Sequence, residues 1–209
     1  MSTRLNLTND ELLSTTRAVR KRLDLQRPVP RDVLLECVEL AVQAPSGSNV
    51  QRWHWVFVED ATKKQALADL YNRVWSHAYP RDARDQVDEQ GRRILSSADY
   101  LAAHLHEVPV LLVPCQWTRP TGDVPGGAGY WGSILPAVWS FLLALRSRGL
   151  GSAWTTMHLA CEQEAADILG IPYERCAQAG LFPIAYTIGT DFRTAARKDT
   201  ASIVHWDTW

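Results

Sequence analysis

Neither sign of charge dominates this chain: 22 Lys and Arg stand against 23 Asp and Glu, a formal net charge of −1. There is therefore no broad basic field for a polyanion, and dedicated nucleic-acid binding is excluded. Cysteine is sparse, and Cys37, Cys115, Cys161 and Cys176 are scattered without a CxxC pair. They read as small core hydrophobes rather than a disulfide framework or a zinc site. Long apolar runs are also missing. The most apolar stretch, residues 134–145, is interrupted by Pro136 and falls short of the roughly 20 residues a spanning helix needs, which argues against a membrane protein. The first residues show no apolar core followed by a small-residue cleavage site, so the expected location is the cytoplasm.

The usual signatures of side-chain catalysis are absent as well. Neither Gly47-Ser48-Asn49 nor Gly132-Ser133-Ile134 has the flanking glycine of a GxSxG elbow, which leaves a serine hydrolase without a foothold. The six histidines have no HExxH or comparable spacing with carboxylates, so no metal site is expected. Gly127-Ala128-Gly129-Tyr130-Trp131-Gly132 matches GxGxxG literally. However, the preceding strand ends well upstream and no acid follows between Ser133 and Cys161 to hold a ribose, so a dinucleotide fold is refused.

What the chain does have is an ordinary globular composition, 46% hydrophobic and 22% charged over 209 residues, enough for one core in a single domain spanning residues 1–209. It also has nine tryptophans spread along its length, which suit a planar ligand or a large buried interface as well as core packing. Residues 8–16 and 30–44 show helical periodicity, the second opened by a proline. Residues 45–49 are small and polar with turn chemistry, and Trp53-His54-Trp55-Val56-Phe57-Val58 is rich in strand formers. Helices are expected over 61–75 and 94–105, with a charged exposed segment at 79–90. A strand buried on both faces is expected at 108–115. The glycines and prolines of 116–129 predict a long functional loop. Residues 130–148 follow as a helix whose apolar positions cover nearly the whole circumference, which favours a subunit interface. An extended segment at 152–156, a helix at 161–169, a strand at 182–189 and a polar tail at 190–209 complete the chain. The tail holds enough apolar residues to dock.

Two basic clusters remain, Arg17, Arg20, Lys21 and Arg22 near the start and Arg197 and Lys198 near the end. Phosphate recognition needs converging cations, so two clusters remote in sequence are candidates for one phosphate, and solvated surface charge is the competing reading. Arg17-Ala18-Val19-Arg20, Pro28-Val29-Pro30, Ala44-Pro45-Ser46-Gly47-Ser48-Asn49-Val50-Gln51-Arg52-Trp53, Gly149-Leu150-Gly151-Ser152 and Arg197-Lys198 occur in an order and spacing that resembles the FMN-dependent nitroreductase family over nearly the whole chain.

The resemblance implies an α+β fold, a three-layer α/β/α sandwich with a mainly antiparallel sheet flanked by helices, in an intertwined homodimer with the flavin site at the subunit interface. It implies FMN as cofactor and NAD(P)H as co-substrate, with a nitroaromatic, quinone or related small electrophile as oxidant and ping-pong kinetics. It implies that Arg17, Ala18 and Arg20 bind the flavin at its phosphate, ribityl or pyrimidine edge, with Arg197 and Lys198 completing the phosphate site. Pro45, Ser46, Ser48 and Asn49 match a turn that reaches over the ring system from the partner, and Leu150 and Gly151 match the segment beside it. Trp131 and Trp154 are candidate walls. The family's usual Arg-Arg-Ser is Thr16-Arg17-Ala18 here, so one guanidinium and one hydroxyl are missing, with Lys21 or Arg22 as the expected compensation. Because a flavin carries the hydride itself, no catalytic side chain is expected. A different substrate, a deazaflavin, or a flavin-sequestering protein without catalysis remain open alternatives.

Overall fold

The computed structural model describes residues 4–80, 87–120, 122 and 124–209. The elements run α1 (Asn9–Thr15), α2 (Arg31–Ala41), β1 (Trp53–Val58), α3 (Ala61–Ala78), α4 (Glu89–His104), β2 (Val110–Trp117), α5 (Val124–Ser147), β3 (Leu150–Gly151), α6 (Glu162–Leu169), β4 (Cys176–Gln178) and β5 (Phe182–Tyr186). Their ends are set by local chemistry. Thr8 and Glu11 form a capping box on α1, and Asp60 and Asp88 accept amides at the starts of α3 and α4. Gly170, with φ of 70°, ends α6 in the left-handed region that a side chain disfavours.

The sheet order is β1-β2-β5-β3, with β4 also on β2, and every ladder is antiparallel. Alternation along β2 sends Leu111, Val113 and Cys115 into one core, against Leu67, Tyr71, Leu101 and Ala165 of α3, α4 and α6. Val110 and Leu112 point into a second core with Val33 and Cys37 of α2 and Ile134, Val138 and Phe141 of α5. The result is the expected α/β/α sandwich. The cysteines are free, and burial pushes the Cys37 thiol up to about 11 and that of Cys115 up to about 12, leaving both inert.

The expected loop at 116–129 is corrected by the structure. Strand β2 continues to Trp117, and α5 begins at Val124, so Gly126, Gly127 and Gly129 are helical. The reason is tertiary: the Tyr130 hydroxyl shares its one proton between the carbonyls of Thr118 at 2.6 Å and Gln116 at 2.9 Å, and the Gln116 side-chain amide donates back to the Tyr130 carbonyl at 2.8 Å. These bonds hold turns that glycine propensity alone would leave frayed. The GxGxxG sequence lies inside this helix, so it forms no phosphate loop. Pro136 sits within α5 and leaves the carbonyl four residues back without its amide. Beside that break the Trp53 indole donates to the Ser133 carbonyl at 2.6 Å.

Residues 126–147 are also long and apolar enough to cross a membrane by length and composition, a span that the run at 134–145 understated. In the fold, Ile134, Val138, Phe141 and Leu145 of that helix are packed into the second core. Part of the charged segment at 79–90 lies outside the described residues. The tail's Ile203, Val204, Trp206 and Trp209 are exposed on the single chain rather than docked on it.

Candidate functional site

After α1 the chain turns alongside β3. The Val19 amide donates to the Ser152 carbonyl at 2.8 Å, and Ala18 and Ser152 form a parallel bridge. This pairing brings Arg17 and Ala18, from the start of the chain, against Leu150 and Gly151, 133 residues later. Together with Trp139 and Leu142 of α5, and Trp154, they wall a cavity of about 130 Å³. Gly151 is needed here for packing: a Cβ at this position would lie 2.6 Å from the Thr187 methyl and 3.0 Å from Val19. The crowding at this glycine comes from neighbouring segments of the fold.

A second cleft, of about 560 Å³, adjoins the first through Arg17 and is lined by Arg93, Arg197, Asp88 and Glu89 among others. Arg17 and Arg197, 180 residues apart, thus share one cleft. The Arg17 guanidinium donates to the Arg193 carbonyl at 2.7 Å, and that of Arg197 reaches only the adjacent Ala196 carbonyl at 3.1 Å. Lys198 is exposed and lines neither cavity. Arg20 donates to the Ser97 hydroxyl of α4 at 3.4 Å, outside the walls of both cavities, and Lys21 donates to Ser96 at 2.8 Å. Arg22 is ion-paired with Asp191 at 2.6 Å.

The turn carrying Pro45, Ser46, Ser48 and Asn49 is elsewhere. Ser46 lines a cleft of about 350 Å³ with Arg52, Gln116, Tyr130 and Ser133, and that cleft shares no residue with the cavity at Arg17 and Gly151. Ser48, Asn49 and Gln51 all have left-handed backbone, with φ of 50°, 54° and 53°, which costs on the order of 1 kcal/mol apiece for side-chain-bearing residues. The Gly47 amide donates to the Ser133 hydroxyl at 2.9 Å, Asn49 N–H to the Ser46 carbonyl at 2.9 Å, and Gln51 N–H to the Ser46 hydroxyl at 3.2 Å. Ser46 and Asn49 therefore serve the turn's own geometry, and Pro45, Ser48 and Asn49 face solvent.

The donor chemistry of the first cavity suits a flat, anionic ligand. Its walls include two indoles, a guanidinium in Arg17 and, among the described residues, no carboxylate. Two wall residues also hold buried polar atoms with no hydrogen-bond partner: the Ser152 hydroxyl, and Nε and Nη1 of Arg146. Such groups cost about 1–3 kcal/mol each when unsatisfied, more when charged. Sequence reasoning missed Trp139 and Arg146. Trp139 is one of the apolar residues of 130–148, and Arg146, with Arg148, is one of the two cations among them, the available signal for a buried charge. Trp131, the other expected wall, packs instead edge-on to Tyr130.

The model of the nitroreductase family matches residues 13–186 of this chain. A 4-nitrobenzoate reductase from Nocardioides sp. (strain LMS-CY) is 28% identical over 202 residues, covering 82% of this chain and 78% of the relative. Among solved structures, an oxidised iodotyrosine deiodinase bound to FMN and 3-iodo-L-tyrosine superposes with a TM-score of 0.73 at 24% identity, covering 96% of this chain and 99% of that one. The FMN- and NADPH-dependent nitroreductase NfnB from Sphigopyxis sp. strain HMH superposes with a TM-score of 0.67 at 20% identity, covering 97% and 100%. These two likenesses establish the fold.

Proposed function

Because this chain belongs to the nitroreductase family, we propose that it is an FMN-dependent oxidoreductase that uses NAD(P)H to reduce a nitroaromatic, quinone or related small electrophile. The observation that carries this reading is the meeting of Arg17 and Arg197 in one cleft beside a cavity walled by Trp139, Trp154 and Gly151. Two guanidiniums form a phosphate cradle with the right chemistry, and the indoles offer flat apolar walls for a ring system. The 4-nitrobenzoate reductase and the NADPH-dependent NfnB support the choice of electron donor and acceptor.

When bound, the flavin supplies reversible hydride acceptance and donation. The protein's own part is binding and shielding. Arg17 and Arg197 neutralise the phosphate. Arg20, turned to Ser97 outside both cavities, is given no contact with the flavin in this reading. Leu142, Leu150 and the indoles keep water from the reacting face, which strengthens every charge interaction inside.

The site is completed by a second copy of the chain. A cavity of about 130 Å³ is well below the roughly 300–1,000 Å³ of ligand pockets. Leu135, Trp139 and Leu143 lie at i, i+4 and i+8 on α5, with Trp139 41% exposed, an apolar stripe fit for self-association. In that homodimer the turn at Pro45, Ser46, Ser48 and Asn49 covers the partner's flavin.

The test is an absorbance spectrum of the purified protein with and without FMN, then anaerobic addition of NADH and of NADPH, then a nitroaromatic or a quinone. Flavin bands that bleach with one nucleotide and recover with the oxidant are expected, with parallel initial-rate lines. Bands that no nucleotide bleaches would make the protein a flavin sequesterer, and a colourless protein indifferent to FMN would overturn the reading.

A further inference from the structure

Two arginines are buried near the end of α5, and only one is neutralised. Arg148 donates twice to Glu36, at 3.2 and 3.1 Å. Arg146, 5% exposed, has no carboxylate partner among the described residues. Its Nη2 reaches the Thr15 hydroxyl at 3.3 Å and the Thr190 carbonyl at 3.0 Å, while Nε and Nη1 are buried with no partner. Its guanidinium lies 4.9 Å over the Phe192 ring, and that of Arg22 lies 4.2 Å over the same ring. Burial, reinforced by the positive charge of Arg22, lowers the Arg146 pKa from its ordinary value. A guanidinium held dry beside a second cation is costly unless an anion meets it. Arg146 is also part of the wall of the cavity that holds Arg17, Ala18 and Ser152, where the Ser152 hydroxyl is likewise without a partner.

We propose that Arg146 is an anion-holding residue of the cavity it shares with Arg17, a guanidinium delivered from α5 to the phosphate end of the flavin that Arg17 also meets. The assignment rests on the flavin reading given above. It answers the loss of cationic and hydroxyl chemistry at Thr16 and Ala18 from inside the fold, since Lys21 and Arg22 are tied to Ser96 and Asp191. A purely structural Arg146, tying α1 and the tail through Nη2, would leave Nε and Nη1 unexplained.

The experiment compares wild type with Arg146→Met and Arg146→Lys. It uses apo-protein thermal unfolding with and without inorganic phosphate, and equilibrium binding of FMN and of riboflavin followed by flavin fluorescence. Removing an uncompensated buried charge should raise the apo melting temperature of Arg146→Met by a few degrees. The same change should weaken FMN about 10- to 100-fold, leave riboflavin within about two-fold and abolish stabilisation by phosphate. Arg146→Lys should recover part of the FMN affinity.

If FMN binds both proteins equally, the assignment falls while the flavin reading stands. If riboflavin weakens as much as FMN, or if Arg146→Met melts lower than wild type, Arg146 is structural and the assignment also falls. A wild type that ignores both flavins overturns the flavin reading, and phosphate stabilisation that still depends on Arg146 then upholds an anion site there. Loss of that dependence ends both.

Discussion

Arg148, all but fully buried, donates through both Nε and Nη2 to a single carboxylate oxygen of Glu36, which is nearly half exposed. This pair fastens the end of α5 to α2, and removing the acid would strand a buried cation. Glu36→Ala is expected to destabilise the fold by about 1–3 kcal/mol, discounted from a fully buried pair for the exposure of Glu36. Urea unfolding checks this, and an unchanged midpoint would count against the pair as a fastening. The double variant with Arg148→Met should recover most of the loss.

Gly151→Ala forces a methyl to within 2.6 Å of Thr187 and 3.0 Å of Val19, between the strand segments that bring Arg17 to the cavity. A loss of roughly 1–3 kcal/mol in stability is expected from this overpacking, with weaker FMN retention as the bridge between Ala18 and Ser152 opens. Thermal unfolding and FMN titration should change together. Normal stability would place the steric limit elsewhere.

Arg197→Ala should weaken FMN about ten-fold and leave riboflavin nearly unchanged. The wild-type preference for FMN should also shrink as salt rises, because Arg197 is solvent-exposed and its interaction is screened. Titrations at two ionic strengths test both statements. A salt-independent preference would point to buried contacts alone.

Burial lowers the His158 imidazole from 6.5 to about 4. Its Nε2 lies 3.1 Å from Gln178 Oε1, while the Gln178 amide donates to the Glu162 carbonyl at 2.9 Å. The imidazole is therefore neutral with its proton on Nε2. The unfolded chain takes up a proton at higher pH than the folded one, so this stability is complete above 6.5 and is lost as pH falls toward 4. At about 1.4 kcal/mol per unit, the loss is at most roughly 3 kcal/mol. Unfolding midpoints measured across that window should slope for wild type and flatten for His158→Gln.

Leu143→Asp places a carboxylate on the α5 stripe shared with Leu135 and Trp139. The expected outcome in light scattering is a dimer for wild type and a monomer for this variant, with loss of bound flavin alongside. A dimer that persists would move the interface to another face.

Strand β1 is readable to the residue, because a run of six residues, five of them strand formers, follows a polar turn. The helices on both faces are readable from their spacing, although α4 begins at Glu89, five residues before the expected start. Strand β4 is not, since Cys176, Ala177 and Gln178 become a strand only by pairing with Trp117, Gln116 and Cys115. The first turns of α5 are hidden for the same reason: their glycines spell a loop, and Tyr130, Gln116 and Ser133 impose the helix from a distance. At the site, Arg17, Arg197, Leu150 and Gly151 are legible through the order of motifs along the chain. Arg146 and Trp139 are not, because the inward direction of a side chain on an all-round apolar helix depends on what packs against it.

The Ser133 hydroxyl donates to the Gly129 carbonyl at 2.7 Å and accepts the Gly47 amide at 2.9 Å. It is a pin through two parts, the glycine-rich turns of α5 and the left-handed turn at Ser48, Asn49 and Gln51. A turn with that much unfavourable backbone closes against a latch rather than by its own preference. Opening the helix start releases the latch, so amide exchange at Gly47 should keep time with the first turns of α5 instead of with the loop around it.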